Sequence, residues 1–376
     1  MADSFPGLTD IHAHPAMNSW LWHRDLRKHY FTGKAFNPLA SLTDFKMLEK
    51  GEVKVLWSSL HIPEHDFIHF LPLWILAHFL KSGRKLLHKT AWECLLDMKA
   101  DMEDQVGRTE GRFRMAGSNA ELDQVLASGN TAIVHTVEGG HVLSAGLEPD
   151  DIATRLARVD HLASGGVASL TIAHLFPNDL AGHADAIPPG LLHWFFKSKV
   201  KVDLTRGLTP AGRAVVERMV ERRIIPDVAH CTPVARREIY ALVANRIPVI
   251  ASHVGVSSLN GVPYNLDRED VEAIAASGGV VGVIFMPLWL QDPDPEEGLE
   301  AVWLTMDTVR EWSGGTWDHA AIGTDFDGFT DPPDDCDSEA QLPRVEDRLE
   351  LHGLSRVQVE AVLGGNARRV LRDGWV

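Results

Sequence analysis

Leu8-Thr9-Asp10-Ile11-His12-Ala13-His14-Pro15 is the stretch on which the reading of this chain turns. It is a mostly apolar run that ends in two histidines, one residue apart, before a proline. On a β-strand, residues i and i+2 project from the same face, so both imidazoles can reach one ion. Proline has no N–H to give to a ladder, and Pro15 marks where strand gives way to loop. A His-x-His pair at a strand end is a metal signal; taken alone, it also fits two partly exposed turn histidines.

Outward from this stretch the pattern recurs. Short apolar runs at 53–60, 131–137, 167–173, 224–229, 248–252, 280–286 and 320–324 alternate with amphipathic stretches such as 268–277 and 299–312. Residues 151–163 read as helix, and Thr209-Pro210 supplies an N-cap and an N1 proline for a helix running to about 222. Eight short strands alternating with helices predict an α/β fold of the (β/α)8 TIM barrel type. All 376 residues read as one barrel domain. It carries a long loop over the barrel mouth at about 16–50 and a helical insertion at about 61–118, broken at Ser82-Gly83.

The formal charge of −16 argues against binding to nucleic-acid backbones or anionic membranes. Cys94, Cys231 and Cys336 are odd in number and far apart, which is neither a disulfide framework nor a CxxC site. A reducing, cytoplasmic setting is expected. Residues 1–7 show no basic n-region and no apolar h-region. The apolar stretch 67–80 is too short to span a bilayer and is read as a buried or subunit-interface helix, the basis for expecting a homodimer.

Six of the eight strands end in a ligand-type residue: His12 with His14, Glu138, His174, His230, His253 and Asp325. In a barrel those ends converge on one face, where active sites are built. Singly, His230 reads as a hydrogen-bonded core histidine and Asp325 as an Asx turn. Their joint placement calls for a metal. Imidazole and carboxylate ligands without thiolate suit Zn²⁺, Mn²⁺ or Fe²⁺, and the set exceeds what one open zinc needs. A carboxylate on the third strand can bridge two ions.

At this point the chain resembles the membrane (renal) dipeptidase family, peptidase family M19 of the metal-dependent amidohydrolase superfamily. The resemblance runs over nearly the whole length. It rests on Asp10-x-His12, Val137-Glu138-Gly139-Gly140, His174-x-x-x-Asn178, Gly207-Leu208-Thr209-Pro210-x-Gly212 and Asp227-x-x-His230. Further along it continues through Pro248-Val249-Ile250-x-Ser252-His253, Ile322-Gly323-x-Asp325-x-Asp327-Gly328 and Gly364-Gly365-Asn366-x-x-Arg369-Val370. By resemblance, His12, His14, Glu138 and Asp325 hold one ion. Glu138, His230 and His253 hold a second, with Glu138 bridging and zinc the expected metal. His174 contacts the substrate carbonyl, and the reaction is hydrolysis of a dipeptide amide. Elementary chemistry assigns matching tasks: paired ions acidify a bridging water, Asp325 moves its proton to the leaving nitrogen, and His174 donates to the oxyanion. Asp10, Asp227 and Asp327 are candidates for orienting imidazoles or for structural capping.

Two departures stand out. The family has His-x-Asp where this chain has His12-x-His14, and an arginine before asparagine where this chain has Tyr264 before Asn265. A tyrosine hydroxyl offers no bidentate cationic fork for a substrate carboxylate. Two divalent ions, Glu138, Asp325 and a hydroxide sum to about +1 with His14 and about 0 with an aspartate. One anion and one cation have gone together. Either the carboxylate approaches the metals, with Arg268 a possible substitute partner, or the substrate has no carboxylate there. The expectation is a binuclear metal-dependent hydrolase, dipeptidase-like, acting on a dipeptide or similar small molecule. A mononuclear metal deaminase or amidohydrolase and a non-catalytic metal-bound scaffold are the alternatives.

Overall fold

β1 (Leu8–Ala13) is buried along its whole length. It is buried on both faces, as strands of a parallel sheet are, and carries the polar Thr9, Asp10 and His12 among its apolar residues. The computed structural model describes residues 7–30, 32, 40–68, 78–187, 191–290, 298–328 and 331–376. Following β1 come β2 (Val53–His61), β3 (Phe113–Ala116), β4 (Thr131–Glu138), β5 (Ser169–Thr171) and β6 (Ile225–Asp227), then β7 (Ala251–Val254), β8 (Val281–Val283) and β9 (Ala320–Ile322).

Eight of these strands run in parallel in the order β6-β5-β4-β2-β1-β9-β8-β7. A parallel bridge between Asp227 and Ile250 joins the two ends of that series. It is made by Val228 N–H to the Ile250 carbonyl (2.8 Å) and Ile250 N–H to the Pro226 carbonyl (3.0 Å). The result is the (β/α)8 barrel that the alternation of strands and helices predicts. Ile11, Val55, Trp57, Val134 and Ile250 pack with Val370 and Leu371 of the C-terminal helix in a buried cluster. They fill the barrel on the N-terminal side of the candidate ligands, leaving the C-terminal ends for chemistry.

Three local readings differ from the sequence expectation. β3 lies inside the stretch the sequence predicts as a helical insertion; it pairs with Thr131–Val134 of β4, on the edge that β5 takes from Thr136 onward. Four residues with Phe113 in and Arg114 out are too short a signal to stand apart from the flanking helices. Within the 16–50 stretch, Pro15–Trp22 and Phe45–Lys50 are helices, with Pro15 at the first position of its helix. Among the described residues the helical insertion breaks at Leu80 and again at Lys89-Thr90, rather than at Ser82-Gly83. Thr90 and Glu93 form a reciprocal capping box that starts the helix Ala91–Gly107. Ser82 and Gly83 lie buried inside the helix Lys81–His88, where the Ser82 hydroxyl donates to the Trp20 carbonyl.

The predicted apolar stretch 67–80 lies largely outside the described residues, as do 188–190 and, within 16–50, residues 31 and 33–39. Among the described residues no helix is long and apolar enough to cross a membrane.

Candidate metal centre

Pairing between β1 and β9 continues past the ends of both strands. His14 N–H donates to the Phe326 carbonyl (2.9 Å) and Asp325 N–H to the His12 carbonyl (2.8 Å). Asp10 locks the two segments together, accepting from the N–H groups of His12 and Thr324 (both 3.0 Å) and from the Thr324 hydroxyl (2.5 Å). This zip brings Asp325 Oδ1 to 3.0 Å from His14 Nε2 and 3.8 Å from His12 Nε2, while the two Nε2 atoms lie 3.1 Å apart. Asp325 takes a left-handed backbone (φ 59°), unusual for a non-glycine residue and characteristic of sites that aim a side chain. A Cβ on Gly328 would fall 2.0 Å from Asp325 Oδ1, which explains the glycine in Thr-Asp-Phe-Asp-Gly.

A second imidazole pair faces the first. His230 follows β6 with φ 64°, and its Nε2 lies 3.0 Å from that of His253 on β7. His253 Nδ1–H donates to Ser252 Oγ (2.7 Å), whose own proton goes to Asp227 Oδ2 (2.5 Å). Asp227 also accepts from the Thr171 hydroxyl (2.6 Å) and from the Ala229 and Ser252 N–H groups (3.1 and 3.0 Å). This chain turns the Nε2 lone pair of His253 to the barrel axis, the orienting arrangement found behind metal-bound histidines. Asp327 instead accepts from the N–H groups of Leu42 and Thr43 (2.9 and 2.8 Å), pinning the loop over the mouth, and burial pushes its pKa up to about 7.

Glu138, the last residue of β4, stands between the pairs. Its Oε1 lies 3.4 Å from His12 Nε2, 3.4 Å from His230 Nε2 and 3.3 Å from His253 Nε2; its Oε2 lies 3.5 Å from His14 Nε2. Burial opposes its charge, and the imidazoles of His174 and His12 outweigh that, holding the carboxyl well below its usual range. Donors about 2.0–2.1 Å from a tetrahedral ion stand about 3.3 Å from one another, so the observed 3.0–3.8 Å separations fit a metal. Among the described residues, His12, His14 and Asp325 form one such donor group; His12, Glu138 and His253 form another, Glu138, His174 and His230 a third, and His61, Glu64 and His174 a fourth. The chemistry of the set suits divalent zinc, manganese or iron.

His174 Nε2 lies 3.7 Å from Glu138 Oε1. Two neighbours were missed by sequence reasoning: Glu64, whose Oε1 is 2.6 Å from His174 Nδ1, and His61, whose Nδ1 is 3.5 Å from Glu138 Oε2. Burial disfavours charge on His174, but the Glu64 and Glu138 carboxylates raise its pKa to about 9. Burial and the adjacent His174 push His61 down to about 3.

The two predicted substrate residues are tied into the protein itself. The Tyr264 hydroxyl, buried, donates to the His253 carbonyl, and its ring packs 5.1 Å from that of His230. Asn265 accepts from Gly255 N–H (3.0 Å) and donates to the carbonyls of Asn260 and Trp289 (2.9 and 2.7 Å). Arg268 pairs with Glu311 (3.0 Å) and lies over the Trp312 ring.

Residues 9–374 match the model of the membrane dipeptidase family (peptidase family M19). The chain belongs to that family. Among its relatives are dipeptidase tcpJ of Claviceps purpurea (strain 20.1), 27% identical over 263 residues, and dipeptidase verJ of Clonostachys rogersoniana, 25% identical over 331 residues. The matches cover 70% of this chain and 55% of tcpJ, and 88% of this chain and 75% of verJ; the chain thus spans about half the length of tcpJ. A metallopeptidase from Rhodobacter sphaeroides, solved with a phosphinate mimic of the dipeptide L-Ala-D-Ala, shares the fold with a TM-score of 0.75 at 18% identity. The alignment covers 98% of this chain and 99% of that one. The dipeptidase AC, of the same M19 family, aligns with a TM-score of 0.73 at 19% identity over 98% of both chains.

Proposed function

We propose that this member of the M19 family is a binuclear metal-dependent dipeptidase-like hydrolase that cleaves the amide bond of a dipeptide or similar small substrate. The observation that carries the reading is Glu138 standing between two imidazole pairs, with Asp325 against the first of them. His12, His14, Glu138 and Asp325 would hold one ion; Glu138, His230 and His253 would hold the other, with zinc the proposed metal. When bound, such ions supply Lewis acidity and lower the pKa of water.

The protein's own groups divide the remaining work. Asp325, at the open rim of the ligand set, takes the proton of the attacking water and returns it to the leaving nitrogen, an acid–base role suited to a positioned carboxylate. His174 directs Nε2 at the reaction centre and donates to the oxyanion as it forms. His12, Glu138 and His174 are buried, which strengthens each interaction. Position 264 supplies no cation, so the substrate carboxylate has no arginine fork to meet there. The buried free thiols Cys94, Cys231 and Cys336 agree with a reducing, cytoplasmic setting.

The test is hydrolysis by zinc-loaded protein of L,L- and L,D-dipeptides, each also with an amidated C-terminus. Cleavage of free dipeptides supports the reading. Cleavage of the amidated set alone moves the substrate class to amides without a carboxylate, and cleavage of none overturns the dipeptidase reading.

A further inference from the structure

Glu64 belongs to neither ligand group around Glu138, yet it makes a very short contact in the site. Its Oε1 lies 2.6 Å from His174 Nδ1, the range of a charge-assisted hydrogen bond, and also accepts Leu175 N–H at 3.2 Å. One oxygen thus holds both the ring of His174 and the backbone that follows it. Glu64 is itself firmly placed. Pro63 precedes it with a restricted φ, and its carbonyl receives the Phe67 and Ile68 N–H groups (3.0 and 3.1 Å) at the start of the helix His65–Ile68. Glu64 is 8% exposed and His174 8% exposed, so water competes little for the contact. The His61 ring packs 4.2 Å from that of His174, centroid to centroid, and restricts its rotation. The contact crosses from the segment after β2, over β4, to the segment after β5.

We infer that Glu64 is a positioning residue for His174: by taking the Nδ1–H it leaves Nε2 as the ring nitrogen presented to the reaction centre. The inference rests on the reading of His174 as the group that meets the substrate carbonyl. With the carboxylate removed, the imidazole can flip about its χ2 axis and exchange its two nitrogens, and the donor no longer has a fixed position.

The experiment compares zinc-loaded wild type with E64A, E64Q, H174A and the double variant E64A/H174A, measuring bound metal, kcat and KM on a dipeptide, and the nitrogen-15 ring signals of His174. Removing an outer partner of this kind costs about 10–100-fold. We expect E64A to keep the wild-type metal content, lose about that much in kcat and change KM little. E64Q, whose amide oxygen still accepts Nδ1–H, should recover part of the loss. The double variant should be no slower than H174A, since Glu64 acts through that ring. Additive losses overturn the inference, as does an unchanged kcat in E64A. So does loss of one bound ion in E64A, which would make His61, Glu64 and His174 a metal site instead. If the wild type cleaves no dipeptide, the dipeptidase reading fails by itself and the ring signals decide alone. Protons on both ring nitrogens in wild type, with the Nδ1 signal shifted or lost in E64A, uphold the positioning; identical signals in both overturn it.

Discussion

His12 Nε2 and Glu138 Oε1 lie 3.4 Å apart although they sit on β1 and β4, which are separated in the sheet by β2. Only side chains pointing into a closed barrel meet in this way, and Glu138 reaches His230 and His253 from the opposite side at similar distances. The carboxylate is common to both imidazole pairs, whereas each histidine serves one of them most directly. Glu138→Ala should therefore abolish tight binding of both ions, while His14→Ala should weaken one and spare the other. Metal analysis after dialysis against a weak chelator checks this. Loss of only one ion in Glu138→Ala would show that it does not bridge.

Asp227 reaches His253 only through the Ser252 hydroxyl. Asp227→Ala frees Ser252 to turn and leaves His253 without a fixed tautomer. We expect metal affinity to fall about 10–100-fold, the usual effect of removing an outer partner. Isothermal titration with Zn²⁺ measures it, and Ser252→Ala should give a loss of the same order.

Tyr264 acts here as a brace. Its hydroxyl serves the His253 carbonyl inside the protein, so Tyr264→Phe leaves a buried acceptor without its donor. Such a change costs about 1–3 kcal/mol of stability. Urea unfolding should show this loss with metal content retained. Tyr264→Arg should destabilise further, because it places an unpaired cation in a buried position.

His135, on β4 three residues before Glu138, is buried with neither ring nitrogen hydrogen-bonded, and burial holds its pKa down at about 3. The folded state thus favours the neutral ring. Its contribution is complete above the unfolded pKa of about 6.5 and is lost as pH falls towards 3. At pH 5 the loss reaches about 2 kcal/mol, from 1.36 kcal/mol per pH unit below 6.5. His135→Leu should flatten the fall in stability between pH 7 and pH 5, read from urea midpoints at each pH. An unchanged slope would place the acid sensitivity elsewhere.

Much of this architecture is legible in the sequence because the strands are buried on both faces and so appear as bare apolar runs, and because a barrel gathers their ends. His12, His14, Glu138, His230, His253 and Asp325 are visible by that logic, and the structure brings them within about 4 Å of one another or of Glu138. His61 obeys the same rule and was missed only because β2 runs one residue past Leu60, where the apolar run stops. Glu64 leaves no such trace, since its partner lies 110 residues away and is reached over an intervening strand. β3 is hidden by its four-residue length, and the roles of Tyr264 and Asn265 by a loop whose hydrogen bonds depend on the tertiary fold.

The central claim is a two-ion centre that hydrolyses dipeptides, and titration of metal-free protein with Zn²⁺ while following dipeptide hydrolysis tests it most directly. Activity should rise to a plateau at two equivalents per chain and be absent in Glu138→Ala. A plateau at one equivalent would favour a mononuclear amidohydrolase or deaminase. No hydrolysis at two equivalents would rule out a dipeptide-hydrolysing two-ion centre.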